Sequence, residues 1–449
     1  MADRITTARR GEVNDSASLA GSTLDAGGLS TIFEGVKQKR LDKARAKRDA
    51  KKRAAERRPE GPVPPSSRRG RGVEQIRETL GFAPRQETRL GVILGGSRFE
   101  GAGGPFCSLD VLDLDHAAFA EPSAAQGMSL EQRVKAGAPG LRRLSLKFLP
   151  HGMAINPRRP AESAWFEKWG PGAVYLDVAA GSLLRTISPL SAGHHFYGHG
   201  AFSPDASLLF AVETNLETRA GVISIRDPNA DFKVVGEFPS FGQKPHDCVL
   251  LLEEGLLVVT NGGGPHGSEE LANISFIEIS SGKLVEQLVV EDRRRNAGHV
   301  AVDRQRNLAM VSAPREGLPT SEAGGVTLRA TGRSAWTHVT EPAEVCARML
   351  GESLSVCIDT GTDSAWVTNP SGNLLTQWRV SDASLIRELT LPSVRGVCLS
   401  LDESSLCVSH AAGAELGLLS PDTGVALPVQ PLALRVFGGS HLYAWAYPA

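Results

Sequence analysis

Cysteine is scarce and unpatterned in this sequence. The six residues, at 107, 248, 346, 357, 398 and 407, include no CxxC pair and no metal-type spacing. Cys248, Cys357 and Cys398 lie inside apolar, strand-like runs and read as small buried hydrophobes. Nothing here demands a disulfide scaffold, an oxidising compartment or a thiolate metal cluster. Long apolar runs are missing as well: no window approaches the ~18 residues that a membrane-spanning helix needs. Phosphate-binding loops are absent too. Gly262-Gly263-Gly264 follows a strand-like run, but neither a helix nor a Lys-Ser/Thr pair comes after it. Gly95-Gly96 and the glycines of 101–104 read as turns, and no nucleophile-elbow spacing supports a serine hydrolase. What remains is ordinary for a globular protein, with 41% hydrophobic and 22% charged residues.

Charge is ordinary in sum and uneven in placement. The net charge is −1, yet residues 1–86 hold 20 Lys+Arg against 11 Asp+Glu, or +9, leaving −10 on the rest. Residues 37–58 are rich in Ala, Lys and Arg without a wide apolar face, so they are either disordered or helical with little to bury. Paired prolines and glycines over 60–72 make an extended linker. Val73, Ile76, Leu80 and Phe82 then recur at helical spacing. The expected division is a basic arm and linker over 1–71, a short docking helix over 72–87 and a folded body over 88–449. Through 37–58 the arm suits a protein partner or another acidic surface such as an anionic membrane, unless it is simply a solvated tail. Nucleic acid is a weaker fit, because no aromatic residues interleave with the charges. Arg9-Arg10 is followed by Gly11, Glu12 and Val13, with Asp15 and Asp25 beyond, which does not read as an export leader. The expected compartment is the cytoplasm, or the periplasm if translation starts elsewhere.

The body is built on a repeat. From 147 onward a short apolar strand begins at a His or small residue and often ends in an Asp or Pro turn, and three further strands follow. First strands start at 151, 199, 246, 299, 355 and 396, spaced by 48, 47, 53, 56 and 41 residues. Four short strands at such a period are the mark of a β-propeller. The segment before 147 holds three strand candidates, 89–96, 107–115 and 141–149, and lacks an inner one. The run 441–446 supplies it, so the fold expected is all-β: a seven-bladed propeller closed by its C-terminal strand. Residues 117–140 would be an insertion in the first blade, and 341–351 a short helical insertion in the fifth.

Aligning the seven inner-strand starts gives His441, His151, His199, His246 and His299 in five blades. Ser355 stands in another, and Gly396, beside Arg395, in the last. Inner strands line the channel, so these histidines should converge near one mouth, where neutral imidazoles suit copper, iron or zinc. The other reading is architectural, each imidazole bonding backbone at a blade start. Ends of the second strands return to the same face with Glu213, Asn215, Asn261, Asn369 and His410. Of these, Glu213, Asn215 and Asn261, with His195 and Arg395, are candidates for holding a ligand or orienting imidazoles. His194, His266 and His338 read individually as structural. Three functions stay open: a non-catalytic metal- or ligand-binding propeller, a redox metalloenzyme with a metal in the channel, and a scaffold tethered through its basic arm.

The segments around His151-Gly152, Phe196 to Gly200, Pro245-His246-Asp247 and Gly298 to Asp303 resemble a bacterial propeller family of unknown function. Its members lie in gene clusters beside imelysin-type iron-regulated proteins. The likeness spans roughly 141–449 and is dense over 148–303. It implies the propeller fold and a link to iron or copper handling. The chain departs from the family in a loop shortened to Gly264–Glu270, and in Gly439-Ser440-His441 where the family has Asp-Asn-His.

Overall fold

A computed structural model describes residues 90–101, 104–115, 140–411, 415–427 and 436–445. The basic arm, the docking helix and nearly all of the 117–140 insertion lie outside the described residues. The chain folds into seven antiparallel sheets arranged as the blades of a propeller. Six have four strands and the seventh has three among the described residues.

Inner strands are Pro150–Ile155, His194–Phe202, Pro245–Leu251, Val300–Val302, Val356–Asp359, Val397–Leu399 and Tyr443–Trp445. Each inner strand opens at the same mouth and turns at the other. Asn156, Asp205, Asp303, Asp359 and Asp402 cap those far turns, their carboxylate or amide oxygens accepting backbone N–H groups two to four residues on. Residue patterning explains the strand order. Second strands such as Ser364–Asn369 are buried throughout, because blades cover both their faces. The outer strand Lys283–Val289 is largely exposed.

The first blade is composite. Val92–Gly101 pairs with Gly104–Asp113 on one side and with Tyr443–Trp445 on the other, in the register Val92↔Trp445 and Leu94↔Tyr443. The C-terminal strand thus occupies the innermost place beside the N-terminal ones and removes the free edges. In the fifth blade, the expected helical insertion is the short helix Ala343–Cys346. Among the described residues no helix is long and apolar enough to cross a membrane.

Candidate metal centre

Three of the histidine-bearing strands are irregular where the histidine sits. Pairing slips between Pro150 and Gly152, between Phe196 and Gly200, and between Pro245 and Cys248. Each slip is a bulge that re-aims a side chain, and here it turns His151, His199 and His246 into the channel. His299 directly precedes Val300–Val302, and His441 stands two residues before Tyr443–Trp445. Glycine permits the crowding. Gly198 has φ +97°, and a Cβ there would stand 2.3 Å from Cδ2 of His151; one on Gly152 would stand 2.6 Å from Nδ1 of His199.

The five imidazoles are buried and share one space. Ring centroids lie 3.9 Å apart for His299 and His441, 4.6 Å for His151 and His441, and 4.9 Å for His151 and His199. One nitrogen from each of His151, His199, His299 and His441 falls in a set whose members are all within 4.8 Å of one another. His246 lies beside this set: its Nε2 is 2.8 Å from Nε2 of His299. A tetrahedral ion with bonds near 2.0–2.1 Å holds its donors about 3.3 Å apart. The four nitrogens are therefore spread somewhat wider than a closed metal shell.

Hydrogen bonds fix which nitrogen carries the proton. Nδ1 of His299 lies 2.5 Å from the Leu354 carbonyl, which can only accept, so the proton is on Nδ1 and the lone pair on Nε2. Nδ1 of His199 faces Oδ1 of Asp247 at 2.9 Å, and its Nε2 is buried with no hydrogen-bond partner among the described residues. Nε2 of His441 is likewise buried and unpartnered. Two nitrogens, Nε2 of His151 at 3.1 Å and Nε2 of His246 at 2.8 Å, converge on the single lone pair of His299. This crowding of lone pairs is poorly satisfied by protons alone, whereas a cation would satisfy it.

Burial, reinforced by neighbouring imidazoles, holds His151, His246 and His441 far below the ordinary imidazole range. It pushes His299 down to about 3. Neutral imidazoles are what a metal ion requires. Asp247 runs the other way. Burial alone would raise it, but the neighbouring His199 and its hydrogen bond, with His299 and the backbone N–H of Val300, outweigh burial, and its carboxyl lies below the usual range. Its Oδ2 also accepts from the backbone N–H of Val300, 3.0 Å away. One carboxylate of the fourth blade thus joins the third to the fifth; in the sequence it stands only as part of the Pro245-His246-Asp247 segment, with no role assigned to it.

The remaining candidates are placed apart from the imidazoles. Glu213 is buried in its blade, accepting from Arg226 at 2.7 Å, Ser224 at 2.5 Å and the backbone of Leu190 at 2.7 Å. Asn261 bonds Ser240 and Asn273. Asn369 supports the 350–352 backbone, and Asn215 closes a turn and reaches His194 at 3.5 Å. His410 lies 3.6 Å from Glu415. Both His195 and Arg395 stand nearer the mouth. His195 packs edge-on against Trp169, and Arg395 donates from Nε to the Gly439 carbonyl at 3.0 Å, two residues from His441.

Residues 146–427 match the family described as Protein of unknown function (DUF1513). No curated protein matches the chain. Among solved structures, a periplasmic gluconolactonase of Pseudomonas aeruginosa superposes with a TM-score of 0.52 at 14% identity, over 80% of this chain and 99% of that one. A protein from Lactobacillus plantarum gives 0.52 at 13% identity, over 78% and 98%. At such identities these likenesses show the fold alone.

Proposed function

The chain belongs to the DUF1513 family, and we propose that it is a metal-handling propeller that binds one transition-metal ion at its histidine mouth. The ligands are Nε2 of His199 and His299, with nitrogens of His151 and His441; His246 stands ready to replace or support one of them. The observation that carries this reading is the pair of imidazoles whose Nδ1 atoms are tied back, to Asp247 and to Leu354, so that their Nε2 lone pairs face a common buried space. Such a carboxylate–histidine arrangement orients ligands toward a metal and raises their basicity. An all-imidazole donor set suits copper, iron or zinc. Copper or iron is the choice here, in keeping with the family resemblance.

Elemental analysis of the protein as isolated, followed by copper and iron titration of the stripped protein, tests the reading. Replacing His199 and His441 together by Ala should abolish stoichiometric uptake while the β-type circular dichroism persists. Stoichiometric metal in that double variant would refute the site.

A redox role is the second reading, favoured by one feature. Trp169, 43% exposed, packs on Tyr197 with ring centroids 5.0 Å apart, and Tyr197 packs on His246 at 4.6 Å. An aromatic path therefore leads from solvent to the imidazoles. Reversible bleaching of a copper(II) spectrum by a one-electron reductant would support this role, and its absence would leave the binding role alone.

A further inference from the structure

The mouth opposite the imidazoles carries a cavity of about 430 Å³ between the fourth and fifth blades. Its walls come from the segments 249–254 and 302–306, where the inner strands Pro245–Leu251 and Val300–Val302 end. Five aliphatic residues of the lining, Val249, Leu250, Leu251, Leu252 and Val302, are only half-buried. The backbone N–H groups of Leu252, Glu253 and Glu254 make no hydrogen bond among the described residues. Charge on the rim is uneven. Arg306 pairs with Glu254, and Arg304 with Glu403 at 3.3 Å, while Glu253 is exposed with no basic partner among the described residues.

The first described residue stands on this same face. The carbonyl of Leu90 accepts from the backbone N–H of Leu401 at 2.9 Å, and its own N–H donates to Oδ1 of Asp115 at 2.6 Å. Glu403, two residues past Leu401, is the group that holds Arg304, and Arg304 lines the cavity. One turn of the seventh blade therefore links Leu90 to the cavity wall. Shortly before Leu90 the chain carries Val73, Ile76, Leu80 and Phe82 at helical spacing, with Arg68, Arg69 and Arg71 ahead of them. Phe82 is eight residues from Leu90, and a stretch of that length spans up to about 28 Å when extended. Covering half-exposed aliphatic surface is favourable, and the three arginines match the unpaired Glu253 in sign. We propose that the segment 73–82 of this chain docks in the cavity between the fourth and fifth blades, its apolar side chains against Val249 to Leu252 and Val302. So anchored, the basic stretch 37–58 is carried on the face opposite the imidazoles. An acidic partner held by the arm and an ion at the histidine mouth then do not compete for one surface.

Hydrogen–deuterium exchange of the full chain, read by mass spectrometry, tests the docking. In wild type the amides of Leu252 to Glu254 and of 73–82 should exchange slowly, and diluting the protein should leave their rates unchanged. Leu80→Glu and Phe82→Glu together should speed exchange at Leu252 to Glu254 roughly tenfold or more, with the β-type circular dichroism kept. Leu252→Asp, made separately, should speed exchange over 73–82 to a similar degree. Fast exchange at Leu252 to Glu254 in wild type overturns the proposal whether or not the variants fold, as does protection that both variants retain. Protection that disappears on dilution would give the cavity to the segment of a second copy and overturn docking within one chain.

Discussion

Asp247 touches no space that a ligand would fill, yet it decides how the site is wired. Its two oxygens hold the His199 ring from one side and the Val300 backbone from the other. Asp247→Asn keeps the shape and an oxygen acceptor but removes the charge that raises imidazole basicity. Metal affinity should fall about 10- to 100-fold, measured by competition with a chelator of known affinity, while ring closure and blade content stay as they are. Unchanged affinity would mean that Asp247 is only a structural tie. The five histidines were legible in the sequence because they occupy one position of a repeat. Asp247 was hidden because neighbours in a regular strand point to opposite faces, so His246 and Asp247 would not both reach the channel. The bulge between Pro245 and Cys248 breaks that alternation, and no residue type in the segment announces it. Glu213 shows the converse. Its strand end pointed to the mouth, but Arg226 and Ser224 within the same blade satisfy its carboxylate first.

At the scale of a strand, the bulges at His151, His199 and His246 work only if the backbone between adjacent blades comes very close. Gly198 is where this is most demanding, with φ +97° and the His151 ring where a side chain would begin. Gly267 provides a fair control, with φ +90° and nothing within 4 Å of its Cβ position. Gly267→Ala should cost only the left-handed strain of about 1–2 kcal/mol. Gly198→Ala should cost about 1–3 kcal/mol more, since it must also push the His151 ring aside. Urea unfolding gives both values, and metal titration should show a defect for Gly198→Ala alone. Equal costs at the two positions would show that His151 is free to move, and the crowded arrangement would lose its support. Strand order and blade spacing could be read from sequence because apolar runs and Asp turns recur at each blade. These close approaches could not, since a glycine beside a histidine looks the same whether it faces solvent or a neighbouring ring.

At the scale of the whole molecule, closure is visible as chemistry. Among the described residues the buried side chains divide into seven apolar clusters, and each cluster joins two neighbouring blades. Seven interfaces for seven blades means that none is left open. The seventh-to-first interface brings Cys398, Cys407 and Leu416 against Ile93 and Leu112. Trp445 locks the closing strand: it is 2% exposed, pairs with Val92 and donates from Nε1 to the Pro160 carbonyl at 2.8 Å. Trp445→Ala should therefore cost about 3–5 kcal/mol, against less than about 1 kcal/mol for the exposed Trp169→Ala. His441 lies four residues before Trp445 on the same segment, so closing the ring and completing the imidazole set are one event. A metal ion held by His441 together with His151, His199 and His299 would clamp the C-terminal strand to three other blades. Ligand binding to the folded state alone raises stability in proportion to the logarithm of its concentration. Trp445→Ala should thus lose metal affinity along with stability, and excess metal should return part of the lost melting temperature. If Trp445→Ala instead binds metal as tightly as wild type, the site and the closure are separate, and the ring is held by its apolar interfaces alone.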